Sequence, residues 1–313
     1  MKKILLFVPL ILLLNIKTVV NATPVRHELA TKEETLIYYV EQPEQVETYP
    51  IVLAIEGSYV ANSGPTSVLR LHECLSPEIL SWGASLITLE RRGTDGENID
   101  SNTYHYYNIP SQRLSDHLTL VAHIRENPPV GWNKKLIILG GSEGGPIAIN
   151  LAQKTNPDAC VAIVGCGDQT FKEYIWKFLK SMRACLPWWR RIIFCWWASV
   201  PTSRASYEAR CKKMKKNPDH NKWWFGQTFK YWADALDQCE ADNFLALTCP
   251  CFVVAGSKDI ECESTDRIVK IAKDNGNDVT YMRVEGMCHG ALDPQWGVLE
   301  GLREFLQAKQ LIR

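Results

Sequence analysis

The sequence predicts an α/β protein: a mostly parallel sheet flanked by helices, interrupted once by a helical insertion. Three observations predict it. Strand and helix signals alternate from Thr23 to about Val164 and again from Cys251 onward, the pattern of a parallel sheet covered on both faces. Between them lies a helical, tryptophan-rich stretch of roughly 80 residues, too long for a plain loop. A Gly-rich turn, Gly140-Gly141-Ser142-Glu143-Gly144-Gly145, joins a buried strand directly to a helix.

The elements follow in order. Leu36–Val40 and Ile51–Ile55 read as strands, the second running into Gly57-Ser58. Leu69, Leu71, Leu75, Ile79 and Leu80 place a helix over Ser67–Trp82 despite Pro77, and Ala84–Leu89 is a short apolar strand. Leu114, Leu118, Val121, Ala122 and Ile124 mark an amphipathic helix closed by Asn127-Pro128-Pro129. Leu136–Leu139 is a buried strand, Pro146–Gln153 a helix whose proline suits a first turn, and Cys160–Val164 a strand. After the insertion come strand Cys251–Ala255, helix Ser264–Lys273, strand Val279–Val284 and helix Trp296–Ala308.

The predicted domains are 1–22 as a signal peptide, 23–167 with 248–313 as the core, and 168–247 as a lid. Lys2 and Lys3 precede an apolar run from Ile4 to Leu14, with Val20-Asn21-Ala22 as a small-residue cleavage site; the run is shorter than the roughly 20 residues of a membrane span. An exported protein, periplasmic or extracellular, is expected. Its eleven cysteines then meet an oxidising space, and the odd count leaves at least one unpaired within the chain.

The net charge is zero, but it is divided. Thr170–Lys230 carries 14 Lys+Arg against 3 Asp+Glu and the rest 21 against 32. Eight of eleven tryptophans fall in the insertion. Leu186 to Trp197, with Trp188, Trp189, Arg190 and Arg191, mixes aromatics and cations as membrane-surface segments do, and Arg210 to Lys216 adds positive charge. A lid packing its own tryptophans under a solvated lysine face accounts for the same composition. Nucleic acid is not expected as a partner of an exported, net-neutral chain. Neither a P-loop nor a G-x-G-x-x-G fingerprint occurs, and no His/Cys spacing suits zinc, so no cofactor and no metal are expected.

Gly140-x-Ser142-x-Gly144 fits the turn that lifts a nucleophilic serine above a sheet, since side chains at the flanking positions would strike backbone. A serine needs a base, and the base an orienting acid. His289 follows the last predicted strand and Asp259 the one before it, so both sit at the strand ends where Ser142 emerges. The order Ser…Asp…His is that of this turn's usual setting. Asp168, after Cys160–Val164, is the rival acid. Backbone N–H groups of Glu143 and of Ser58, beside Gly57, are the expected oxyanion donors.

Together these features resemble the α/β-hydrolase superfamily over nearly all of the chain beyond the signal peptide. Glu90-Arg91-Arg92-Gly93-Thr94-Asp95-Gly96 resembles the D-x-R-G-x-G loop of proline-iminopeptidase-like capped members, with Glu90 for aspartate and Asp95 inserted before Gly96. The resemblance implies hydrolysis of an ester, thioester or amide through an acyl-enzyme. An ester or thioester with an apolar acyl group is expected. An aminopeptidase would need lid carboxylates to hold the substrate amine, and the insertion offers few, among them Glu173, Glu208 and, near its end, Glu240. A silent binding protein on the same fold is the third reading. A Cys262–Cys288 disulfide is expected if Asp259 and His289 bring their loops together.

Overall fold

The computed structural model describes residues 24–44, 46–58, 65–184 and 200–313. The expected signal segment and the Leu186–Trp197 stretch lie outside them.

Eight strands form one sheet: β1 (Val25–Ala30), β2 (Thr35–Glu41), β3 (Tyr49–Ile55), β4 (Ser85–Leu89), β7 (Trp132–Gly141), β8 (Ala159–Ile163), β11 (Cys251–Gly256) and β12 (Val279–Val284). Their order is β1-β2-β4-β3-β7-β8-β11-β12. β1 and β2 run antiparallel to their neighbours and the rest are parallel. The short pairs β5 (Thr94–Asp95) with β6 (Asn98–Ile99) and β9 (Trp223–Trp224) with β10 (Gln227–Thr228) stand apart.

Alternation along the strands builds two cores. Ile51, Leu53 and Ile55 of β3 face one side, with α3 (Pro110–Glu126), α4 (Gly144–Thr155) and α9 (Cys262–Asp274) against them. Val52 and Ala54 face the other, with α1 (Leu69–Ser81) and α10 (Val298–Ala308). A period of two on a sheet covered on both faces gives unbroken apolar strands, which is why β3 and β4 are buried throughout. The expected strands and helices all form, with no end moved by more than four residues. β1, its outer face exposed, and α2 (Ser101–Tyr107), whose N-cap Asp100 accepts from the N–H groups of Asn102 and Thr103, were not expected.

Between β8 and β11 the chain leaves the sheet as α5 (Phe171–Ala184), α6 (Arg204–Lys216), the β9–β10 hairpin, α7 (Phe229–Ala235) and α8 (Ala241–Leu245). This segment has its own core of Ile175, Leu179, Tyr207, Met214, Trp224 and Trp232. Trp224 and Trp232 therefore pack inward, while Trp223 is half exposed. Phe171 N–H donates to Gln238 O and Lys172 N–H to Leu236 O, which joins the two ends of the segment at its root.

The expected Cys262–Cys288 bridge does not form. Both are free thiols, as are all nine described cysteines. The two loops do converge, but Cys262 opens α9 and is buried beneath it, with Sγ 3.9 Å from Asp266 Oδ2, whereas Cys288 is exposed. Proximity of loops does not aim Cβ vectors at one another.

Candidate active site

Strand β7 ends in the tight turn, and packing dictates its glycines. A Cβ on Gly140 would lie 2.1 Å from Gly144 O, and one on Gly144 would lie 2.3 Å from Ile55 O. Ser142 between them adopts φ +52°, a left-handed conformation that costs a non-glycine residue about 1–2 kcal/mol. It is held there by its N–H on Ile163 O at 2.8 Å and by Gly145 N–H on its own carbonyl at 2.9 Å.

The loops after β11 and β12 are lashed together. Ser257 N–H donates to Val284 O, Lys258 N–H to Met287 O and Gly286 N–H to Ser257 Oγ. Met287, fully buried, anchors the second loop in the core. This brings His289 to Ser142: the Oγ–Nε2 distance is 2.7 Å. On its other side His289 Nδ1 is 2.7 Å from Asp259 Oδ2, and Glu261 N–H donates to Asp259 Oδ1 at 3.1 Å. With Asp259 accepting from Nδ1–H, Nε2 is left as the acceptor of the serine proton. Ser142, His289 and Asp259, distant in sequence, thus form one chain of hydrogen bonds. The rival acid Asp168 is engaged elsewhere, accepting from Ser264 Oγ at 2.5 Å and from Arg267 Nε at 2.7 Å.

Glu143 caps the N-terminus of α4, so its N–H is among those that find no partner within the helix and that align with its dipole. The Glu56-Gly57-Ser58 turn passes against Ser142: a Cβ on Gly57 would lie 3.0 Å from both Gly141 O and Ser142 Cβ. Ser58 is exposed at this edge. Beneath the turn are two buried arginines that sequence reasoning did not single out. Arg91 Nε meets Glu56 Oε1 at 2.5 Å and Arg113 Nη1 meets Glu143 Oε1 at 3.2 Å. Unlike these, the motif residue Arg92 pairs with Asp116 at 2.8 Å. Glu90, in place of the aspartate, staples its loop by accepting from Ser67 Oγ, Val68 N–H, Thr94 Oγ1 and Gly96 N–H.

Glu261 lies beside Asp259, and Glu240 beside Glu261. Glu240 accepts from Gly167 N–H at 2.9 Å, and burial pushes its carboxyl up to about 7. Burial, with Glu240 and Asp259 nearby, raises Glu261 as well. Glu261 was legible only as an acid two residues past Asp259. Among the described residues, no three His, Cys, Asp or Glu are grouped to hold a metal ion.

Residues 78–293 match the family described as serine aminopeptidase, S33. The chain belongs to this family, within the α/β-hydrolase superfamily. The fold is shared with solved structures at low identity. Est1E from Butyrivibrio proteoclasticus is 13% identical, with a TM-score of 0.55 over 91% of this chain and 98% of that one. The Pyrococcus furiosus esterase Pf2001 is 14% identical, with a TM-score of 0.58 over 91% and 90%. Proline iminopeptidase from Mycobacterium smegmatis is 15% identical, with a TM-score of 0.59 over 92% and 99%. No curated protein sequence matches the chain. The family makes this chain a hydrolase by descent, and its structural neighbours include both esterases and an aminopeptidase.

Proposed function

We propose that this hydrolase is a serine esterase or thioesterase working through an acyl-enzyme. The observation that carries the reading is the Ser142–His289–Asp259 relay, with 2.7 Å at each link. Ser142 Oγ attacks the acyl carbon while its proton passes to His289 Nε2. The leaving oxygen or sulfur departs with that proton, giving the alcohol or thiol. Water then attacks the acyl-serine, its proton going to His289 and on to Ser142 Oγ as the carboxylic acid leaves. Asp259 stabilises the imidazolium, and the N–H groups of Glu143 and Ser58 receive the oxyanion.

The lid's glutamates favour an ester over a peptide amine. Glu173 and Glu208 are both spent on Arg204, and Glu240 is buried against Gly167 and keeps its proton up to about pH 7. An apolar acyl group suits the row of rings along the lid, where Phe171 stacks on Tyr174 at 5.9 Å and Tyr174 on Phe178 at 6.4 Å. Tyr174 lies close enough to Asp259 for that charge, after burial, to raise its phenol. A panel of p-nitrophenyl esters and thioesters against aminoacyl arylamides tests the assignment. Turnover of arylamides above esters would replace it with the aminopeptidase. If nothing is turned over and fluorophosphonate does not label Ser142, the binding-protein reading takes its place.

Export and an anionic membrane surface complete the proposal. Lys212, Lys213, Lys215 and Lys216 are exposed on α6, and Lys222 is exposed next to half-exposed Trp223, with Lys215 paired to Asp237 and Lys222 to Asp219; exposed cations with an aromatic suit anionic lipid. A secreted chain beginning at Thr23, and sedimentation with anionic but not neutral vesicles, are the expected results.

A further inference from the structure

The Gly57–Ser58 peptide presents two ends. Its N–H belongs to Ser58, the oxyanion donor in the reading above, and its C=O belongs to Gly57. A planar peptide holds these two groups antiparallel, so whatever grips the carbonyl sets the direction of the N–H. Arg91 Nη2 donates to Gly57 O. The same guanidinium donates through Nη1 to Tyr104 Oη at 2.9 Å and Asn108 Oδ1 at 3.0 Å, and its Nε meets Glu56 Oε1 at 2.5 Å. Four partners and burial leave it one orientation. The preceding peptide is held likewise, by Arg113 Nη2 on Glu56 O at 2.6 Å.

We infer that Arg91 is a positioning residue for catalysis: by clamping Gly57 O it aims the Ser58 N–H at the oxyanion. Three things support a role beyond packing. Glycine at 57 brings the turn within contact of Ser142, and glycine is also the residue least able to hold its own backbone direction. The turn's direction is therefore imposed from outside. A cation on the carbonyl also polarises the amide and strengthens its N–H as a donor, as in any chain of hydrogen bonds. Lastly, the adjacent Arg92 is as deeply buried and as fully paired, yet it bonds Asp116 and Glu33 and leaves the turn alone.

The inference rests on the serine-hydrolase reading and is tested with Arg91→Gln beside Arg92→Gln in the full chain. Loss of one oxyanion donor costs about 100–1000-fold in kcat, so misaiming one should cost about 10–100-fold, with KM within about threefold. Arg92→Gln should lower the thermal midpoint by a similar amount but keep kcat within about threefold. Fluorophosphonate labelling of Ser142, whose adduct places an oxygen where the oxyanion sits, should slow in Arg91→Gln alone. Arg91→Lys, which keeps a cation but not the fork, should recover part of the rate. Equal kcat losses in the two Gln variants would reduce Arg91 to a structural residue and overturn the inference. Wild-type protein that is never labelled would remove the hydrolase reading and this inference with it. If Arg91→Gln does not fold, Tyr104→Phe, which removes only a guanidinium partner, should lower kcat by about two- to tenfold; unchanged kcat there also overturns it.

Discussion

The carboxyl group of Glu240 accepts a hydrogen bond from the N–H of Gly167 at 2.9 Å. One residue lies where the helical insertion leaves the sheet and the other where it returns. Burial raises Glu240 to about 7, with Asp168 adding to the effect. Glu261, itself raised by burial, adjoins it with Lys177 as an opposing charge.

The sign of the pH effect follows. Unfolded Glu240 loses its proton near 4.5, while the folded carboxyl keeps it to about 7, so stability falls as pH rises through that window. The span corresponds to about 3 kcal/mol. Glu240→Gln keeps an acceptor for Gly167 but cannot ionise. Urea unfolding should show the variant gaining on wild type by about 2–3 kcal/mol between pH 4.5 and 7.5; a constant difference would mean that Glu240 ionises freely in the folded protein.

Two buried histidines act in the opposite direction. Burial lowers both His72 and His117 to about 4. The unfolded chain takes up these protons near 6.5, so their stability contribution is present above 6.5 and is lost as pH falls toward 4, up to roughly 3 kcal/mol each. His117 Nδ1 is 2.7 Å from Arg113 O, so acid reaches the arginine cluster beneath the Glu56–Ser58 turn. His117→Asn should be less stable at pH 7.5 and lose much of the decline between 6.5 and 4, read from unfolding midpoints.

The serine turn separates two neighbouring glycines. A Cβ on Gly165 would sit 2.0 Å from Ser142 O, whereas one on Gly141 meets nothing within 4 Å. Gly165→Ala should destabilise by about 2–4 kcal/mol and lower kcat by more than about tenfold, because only backbone can give way. Gly141→Ala should stay within about threefold of wild type. Equal effects, measured by thermal unfolding and ester turnover, would refute this account of the turn.

Removal of the relay should separate chemistry from folding. Ser142→Ala and His289→Ala should lower kcat by several orders of magnitude at nearly unchanged stability. Asp259→Asn should cost about 10,000-fold by favouring the wrong tautomer of His289. Ser142→Gly should raise stability by about 1 kcal/mol while abolishing turnover, since glycine is at ease at φ +52°. Full activity in Asp259→Asn with loss in Asp168→Asn would move the acid to Asp168.

Sequence alone determined the sheet and the positions from which the site is built. Buried parallel strands are written as short apolar runs, and the turn around Ser142 needs glycines that only a few arrangements require. Chain order and strand ends then selected Asp259 and His289. Their meeting with Ser142 was decided by the loops after β11 and β12, whose backbone bonds and buried Met287 no local pattern records. The same packing turned Cys262 beneath α9 and left Cys288 in solvent, so no bridge forms where the meeting of the two loops suggested one. β1 was hidden because its pairing with β2, not its own half-exposed residues, makes it a strand. Arg91 and Arg113 were hidden for a related reason. A buried arginine reads in sequence like any surface cation, and only the carbonyls that tertiary structure places before it decide what it holds.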